Sequence, residues 1–211
     1  MKIAKINQGV WFVLPAVMLL VLIIVFPIFH SIYLSLWESF AGKTVFVGLG
    51  NFVDALTDKT FWSATRVTFI FSVASVVIDF LLGLLAALLL HQKIRGRRAF
   101  RTIMLVPWMV ASPIVAVLWQ WVYDAQFGIG NAILKSLHLI STYQPWLGDL
   151  RLALPSVILA NVWKNFPFVC LILLAGMQAI PDEQYEAATV DGASGIQKFF
   201  YVTIPLSLIH I

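Results

Sequence analysis

The sequence predicts an all-α membrane protein built as a polytopic helical bundle, and two observations carry that expectation. Of the 211 residues, 61% are hydrophobic and only 11% charged, against about 45–50% and about 25% in soluble chains. The apolar residues are also gathered into four long segments: Val10–Leu36, Val67–Leu90, Thr102–Tyr123 and Leu152–Ile180. Each is long enough for a helix rising ~1.5 Å per residue to cross a ~30 Å hydrocarbon core. A fifth apolar segment runs from Ile204 to Ile211, where the sequence stops. Eight residues do not cross a bilayer, so the bundle is expected to be C-terminally truncated, one transmembrane domain over 1–211.

The first segment follows Lys2 and Lys5, as in a secretory signal. A signal's apolar region is only about 7–15 residues and ends at a small-residue cleavage site. This one is longer and lacks such a site, so it reads as an uncleaved first span. Between the second and third segments, residues 92–101 carry five basic residues and no acidic one. Positive charge beside a span marks the cytoplasmic side, which places the N-terminus and the loop after the fourth segment inside. The net charge of +4 is therefore read as an orientation signal with anionic lipid contact, a second reading being contact with a cytoplasmic protein. It is not read as a nucleic-acid surface.

Several chemistries are excluded. Cys170 is the single cysteine, so neither an intrachain disulfide nor a multi-cysteine zinc site is available. The four histidines are scattered, and no Gly-x-x-x-x-Gly-Lys-Ser/Thr phosphate loop occurs. An enzyme is not expected. Gly83 and Ala87 form a small-xxx-small pair that lets two helices approach closely.

Ionisable or amide groups at membrane depth are costly and mark candidate sites. Asp79 lies in the second segment, and Asn161, Lys164 and Asn165 lie in the fourth. Asn161 and Asn165 are four residues apart and share a helix face. With Trp163 they form a candidate path through the bundle. Hydrogen bonding within the bundle, or an Asp79–Lys164 pair, is the alternative.

The loop after the fourth segment, about 181–203, is the most informative. Pro181 suits a first helical turn, Asp182 and Glu183 suit the positive end of the helix dipole, Gly192 suits a helix stop, and Ser194 can cap a second short helix. Pro205 then opens the next segment. Ala187 and Ala188 lack bulk and allow another surface to approach, as when a short helix lies in a partner's groove. A solvated connector has the same features.

Here the sequence resembles a known family. Glu186-Ala187-Ala188, three residues, Gly192, nine residues and Val202-Thr203-Ile204-Pro205 is similar to the EAA loop of ABC importer permeases, with Val202 and Ile204 standing where the family pattern has Ile and Leu. Phe46–Phe52, Asp124–Asn131, Pro145-Trp146-Leu147 and Trp163–Pro167 resemble stretches of the sugar-type permeases. Arg66-Val67-Thr68 departs from an Asn-Thr pair often found there. The resemblance implies a type I ABC importer permease of the maltose or glycerol-phosphate type, in a bacterial or archaeal cell membrane. It implies a second permease subunit, cytoplasmic ATPase subunits that bind the ATP, and an extracytoplasmic binding protein delivering a sugar or polyol. No cofactor is expected on this chain. Glu186, Ala187, Ala188, Asp191, Gly192, Ala193 and Pro205 would form the ATPase-docking loop. A permease for a non-sugar solute shares that loop. An ion-coupled secondary transporter would need paired internal repeats with matched broken helices, and none is visible.

Overall fold

The structure is a computed structural model that describes residues 8–40, 42–92 and 95–209. Lys2, Lys5, Lys93, His210 and Ile211, which enter the reading above, lie outside them. The chain divides into two compact units, Met1–Arg66 and Val67–Ile211.

In the first unit, helix α1 (Gln8–Leu20) passes through a π turn (Val21–Val25) into α2 (Phe26–Leu34). The π turn precedes Pro27, whose missing N–H cannot reach the Ile23 carbonyl. The Phe26 N–H instead reaches back five residues to the Val21 carbonyl. Side chains from Val10 to Leu34 are exposed throughout, an apolar surface suited to hydrocarbon. The span is followed by a hairpin that the sequence reading missed: β1 (Trp37–Phe40) pairs antiparallel with β2 (Lys43–Phe46), with Trp37 opposite Phe46. Their rings meet edge-on at 5.2 Å. Helix α3 (Gly50–Thr57) is tied back by Asn51, whose amide donates to the carbonyls of Ser35 at 2.9 Å and Trp37 at 3.1 Å.

Helix α4 (Lys59–His91) begins eight residues before the predicted second segment. Asp58 accepts the Thr60 N–H at 2.8 Å, an N-cap that starts the helix within polar sequence. In the second unit the buried side of α4 is Ser75, Asp79, Gly83, Ala87 and Leu90. Ala87 and Leu90 form the core with Cys170, Leu173, Leu174 and Met177 of α8 (Ala153–Gln178). A Cβ at Gly83 would lie 2.8 Å from Val169 Cγ1 and 3.1 Å from the Cys170 nitrogen, so the absent side chain is what permits this approach.

The third predicted segment is not one straight helix. It forms α5 (Arg97–Met109) and α6 (Ser112–Val122), bent by 94° at the break. Pro113 has no N–H for the Met109 carbonyl, and its ring would collide with that carbonyl in a continuous helix. Val110 and Ala111 are accordingly extended. Helix α5 packs on α8 through Trp108 and Phe168, stacked at 4.9 Å. Tyr123, at the end of α6, donates its hydroxyl to the Ser156 carbonyl of α8 at 2.9 Å. Among the described residues, three helices are long and apolar enough to cross a membrane, or four if the bent pair is one span.

Helix α7 (Ile129–Ser136) lies in the loop between α6 and α8. Its Asn131 is fully buried. The Asn131 amide donates to the carbonyls of Asp124 at 3.1 Å and Gln144 at 3.0 Å, while its oxygen accepts the Gln144 N–H at 3.0 Å and the Trp146 indole N–H at 2.9 Å. One amide thus holds the two ends of this loop together. After α8 come α9 (Asp182–Val190), α10 (Gly195–Lys198), a second π turn (Phe199–Thr203) and α11 (Ile204–Ile209).

Candidate functional site

Two places in the second unit gather polar groups. The first is an open cavity of about 470 Å³ between α6 and α8, with Phe71 of α4 on its wall. Asn161, Lys164 and Asn165 line it. The Asn165 amide donates to the Asn161 side-chain oxygen at 2.9 Å and to its carbonyl at 3.0 Å. The Lys164 ammonium reaches across to the Ser112 hydroxyl at 3.0 Å, at the first residue of α6 beyond the break. Trp163 does not line the cavity. Two residues along a helix is a turn of about 200°, away from the Asn161 face, and the Trp163 ring instead packs edge-on against Trp119 at 5.7 Å.

The cavity wall also includes Ser112, Trp119, Gln120 and Tyr123 of the broken segment, which the sequence reading did not single out. Gln120 carried a usable signal, being an amide inside an apolar run. Asp79 is elsewhere: it is buried in α4, and among the described residues its Oδ1 has no hydrogen-bond partner, nor does the Ser75 hydroxyl one turn earlier.

The second place is the loop after α8. Pro181, in extended conformation, precedes α9, whose first turn carries Asp182 and Glu183. Asp191 is the C-cap, and Gly192 follows at φ +77°. The Gly192 N–H donates to the Thr189 carbonyl at 3.0 Å and the Ala193 N–H to the Ala188 carbonyl at 2.9 Å. That pair of bonds is the Schellman stop, which needs a left-handed residue at Gly192. Ser194 then caps α10: its N–H donates to Gln197 Oε1 at 2.7 Å and its hydroxyl accepts the Gln197 N–H. Glu186 and Ala187 are exposed on α9 and Ala188 is half-buried. Val190 and Ile196 flank the turn with apolar side chains 87% and 72% exposed. Pro205 sits in α11.

Apolar spanning helices, a broken span beside a polar cavity and an exposed helical elbow define a multi-pass membrane protein of the transporter kind. A family model described as the binding-protein-dependent transport system inner membrane component matches residues 79–211, and the chain belongs to that family. The family consists of transport components rather than enzymes. The chain is 38% identical to the trehalose/maltose transport system permease protein MalF of Thermococcus litoralis over 98% of its length, covering 70% of that protein. It is 33% identical to the sn-glycerol-3-phosphate transport system permease protein UgpA of Agrobacterium fabrum, covering 92% of this chain and 66% of that one. The chain thus spans about two thirds of the length of such relatives. The crystal structure of a bacterial ABC transporter that imports the acidic polysaccharide alginate superposes with a TM-score of 0.77 at 26% identity, over 94% of this chain and 68% of that one.

Proposed function

We propose that this chain is the membrane-spanning subunit of an ABC importer and forms, with a second permease subunit, the path for a sugar or polyol. A binding protein delivers the solute from outside, separate cytoplasmic ATPase subunits bind the ATP, and the chain itself binds no cofactor. The N-terminus and the α9–α10 elbow lie on the cytoplasmic side, in the cell membrane of a bacterium or archaeon. The observation that carries this reading is the elbow. It is an exposed short helix ended by a left-handed glycine and restarted by a capping box, and it bears Glu186, Ala187 and Ala188 on the leading helix. Such a helix fits a groove on a partner. Glu186 is the polar contact to the ATPase, the two alanines admit a close surface, and Asp191, Gly192 and Ala193 form the stop that sets the angle of the elbow. Pro205 opens the next span.

The cavity supports the solute class. The amides of Asn161, Asn165 and Gln120 offer donors and acceptors, and the Trp119 and Phe71 rings offer flat apolar faces. That combination suits a hydroxylated ring, because aromatic faces cover its C–H surface while unmade hydrogen bonds in a closed site are costly. Names of relatives agree, several being permeases for trehalose, maltose or glycerol phosphate. The test is uptake of labelled solute by the reconstituted importer. Glu186→Lys should insert normally and abolish uptake; normal uptake by that variant contradicts the docking role.

A further inference from the structure

The elbow has to do more than dock: if the ATPase moves α9, that movement must reach a span. The Schellman turn at Gly192 is a pivot of backbone bonds, and the leading face of α9 is exposed. Among the described residues, two side-chain hydrogen bonds join α9 to the chain beyond Gly192. The Tyr185 hydroxyl lies 3.1 Å from the Thr203 hydroxyl. The Lys198 ammonium donates to the Thr189 hydroxyl at 2.7 Å.

These two are halves of one circuit. The Thr189 hydroxyl, which accepts from Lys198, donates to the Tyr185 carbonyl at 2.6 Å. The Thr203 hydroxyl donates to the Lys198 carbonyl at 3.4 Å. A hydroxyl has one proton, so with the Thr203 proton directed at the Lys198 carbonyl the tyrosine is the donor, although either hydroxyl can donate in that pair. The circuit closes: Tyr185 to Thr203, Thr203 to the Lys198 carbonyl, Lys198 to Thr189, Thr189 to the Tyr185 carbonyl. The Thr189 and Thr203 hydroxyls each donate once and accept once, an arrangement in which neighbouring bonds strengthen one another, and the two pairs of bonds are joined through the residues Tyr185 and Lys198 themselves.

The π turn makes the circuit possible. Pro205 cannot donate to the Tyr201 carbonyl, so the helix widens over Phe199–Thr203 and the Ile204 N–H reaches five residues back to Phe199. Thr203 lies the same five residues beyond Lys198, which sets its hydroxyl over the Lys198 carbonyl. Thr203 is itself buried, at the mouth of the segment that opens with α11.

We propose that this four-residue ring of Tyr185, Thr189, Lys198 and Thr203 transmits movement of the docking helix to the following span, with Tyr185 and Thr203 as positioning residues. The proposal rests on the importer reading. It separates docking, a property of the outer face of α9, from transmission, a property of its inner face.

The experiment uses the complete importer, reconstituted with its ATPase and binding protein, and compares wild type with Tyr185→Phe, Thr203→Val, the double variant and Thr203→Ser. Three quantities are read: ATPase retained on purification, ATP hydrolysed, and solute transported per ATP. Tyr185→Phe and Thr203→Val should retain the ATPase and hydrolyse ATP while transport per ATP falls about tenfold. The double variant should be no worse than either single one, and Thr203→Ser, which keeps the hydroxyl, should transport as wild type does. Unchanged transport per ATP in Tyr185→Phe overturns the proposal. So does a loss matched by equal loss of bound ATPase, the mark of a merely structural role. A wild-type chain that binds no ATPase overturns the importer reading beneath it instead.

Discussion

Substitution at Gly83 probes the contact on which the second unit is built. An alanine methyl there would sit 2.8 Å from Val169 Cγ1, 3.0 Å from Val169 Cβ and 3.1 Å from the Cys170 nitrogen. Unstrained carbon contacts lie at about 3.5–4.0 Å. The Val169 side chain can shift a little, but the Cys170 nitrogen is backbone in the middle of α8 and moves only with its helix. Forcing an extra methyl into a packed core costs about 1–3 kcal/mol. Alanine recovers up to about 1 kcal/mol over glycine in helix propensity. The net expectation for Gly83→Ala is a loss of up to about 2 kcal/mol, or up to roughly 8 °C in unfolding midpoint for a chain of this size. Cys170 supplies the assay, being the only cysteine and fully buried beside the contact. A fluorogenic maleimide reports its exposure as the purified protein is heated in detergent. Val169→Ala added to Gly83→Ala should recover part of the loss, because it removes Cγ1, the nearest of the atoms in the way. A raised midpoint for Gly83→Ala would refute the argument that α4 and α8 meet through the missing side chain.

Three other expectations follow from the same geometry. Asn131→Ala leaves the Gln144 N–H and the Trp146 indole N–H without their acceptor, at about 1–3 kcal/mol for each such group. Limited proteolysis between residues 137 and 152 should therefore accelerate, and unchanged cleavage would remove Asn131 from the role given to it. The N–H groups of Phe127 and Gln126 donate to the Asp124 carboxylate and hold its pKa below the ordinary value. A depressed folded-state pKa gives stability that is complete above the unfolded value, about 3.9, and is lost as pH falls through the folded one. Asp124→Asn should flatten the acid limb of unfolding below about pH 4 and change its slope little above. Alanine at both Asn161 and Asn165 should weaken solute selectivity in reconstituted transport. Unchanged affinity and selectivity would take the cavity out of the solute path.

Much of the architecture was legible because lipid imposes simple rules. Span length and composition reveal the apolar helices, since no other solvent accommodates such surfaces. The elbow was legible for a different reason. Pro181, Gly192 and Ser194 each act on the backbone beside them, and the helix start, the left-handed stop and the capping box stand at those residues. What stayed hidden depends on distant partners or on a proline's context. Pro113 reads in sequence as one of several tolerated prolines, yet it breaks the third segment by 94° and so creates one wall of the cavity. Asn131 reads as an ordinary loop residue, because the groups it holds lie 13 and 15 residues away. The hairpin at Trp37–Phe46 is too short to show a clear alternation. Trp163 was grouped with the cavity residues although helical spacing alone turns it away from Asn161 and Asn165.

The central claim is that the α9–α10 elbow seats this chain on an ATPase. Affinity purification of the tagged chain, co-expressed with its partner permease and ATPase subunits, tests that most directly when wild type is compared with Gly192→Asp. An aspartate at φ +77° disfavours the Schellman stop and re-aims the docking helix without touching a span. The account expects equal amounts of both chains in the membrane, stoichiometric ATPase with wild type, and at least a tenfold loss with the variant. Equal ATPase recovery from both, or none from wild type, would contradict it.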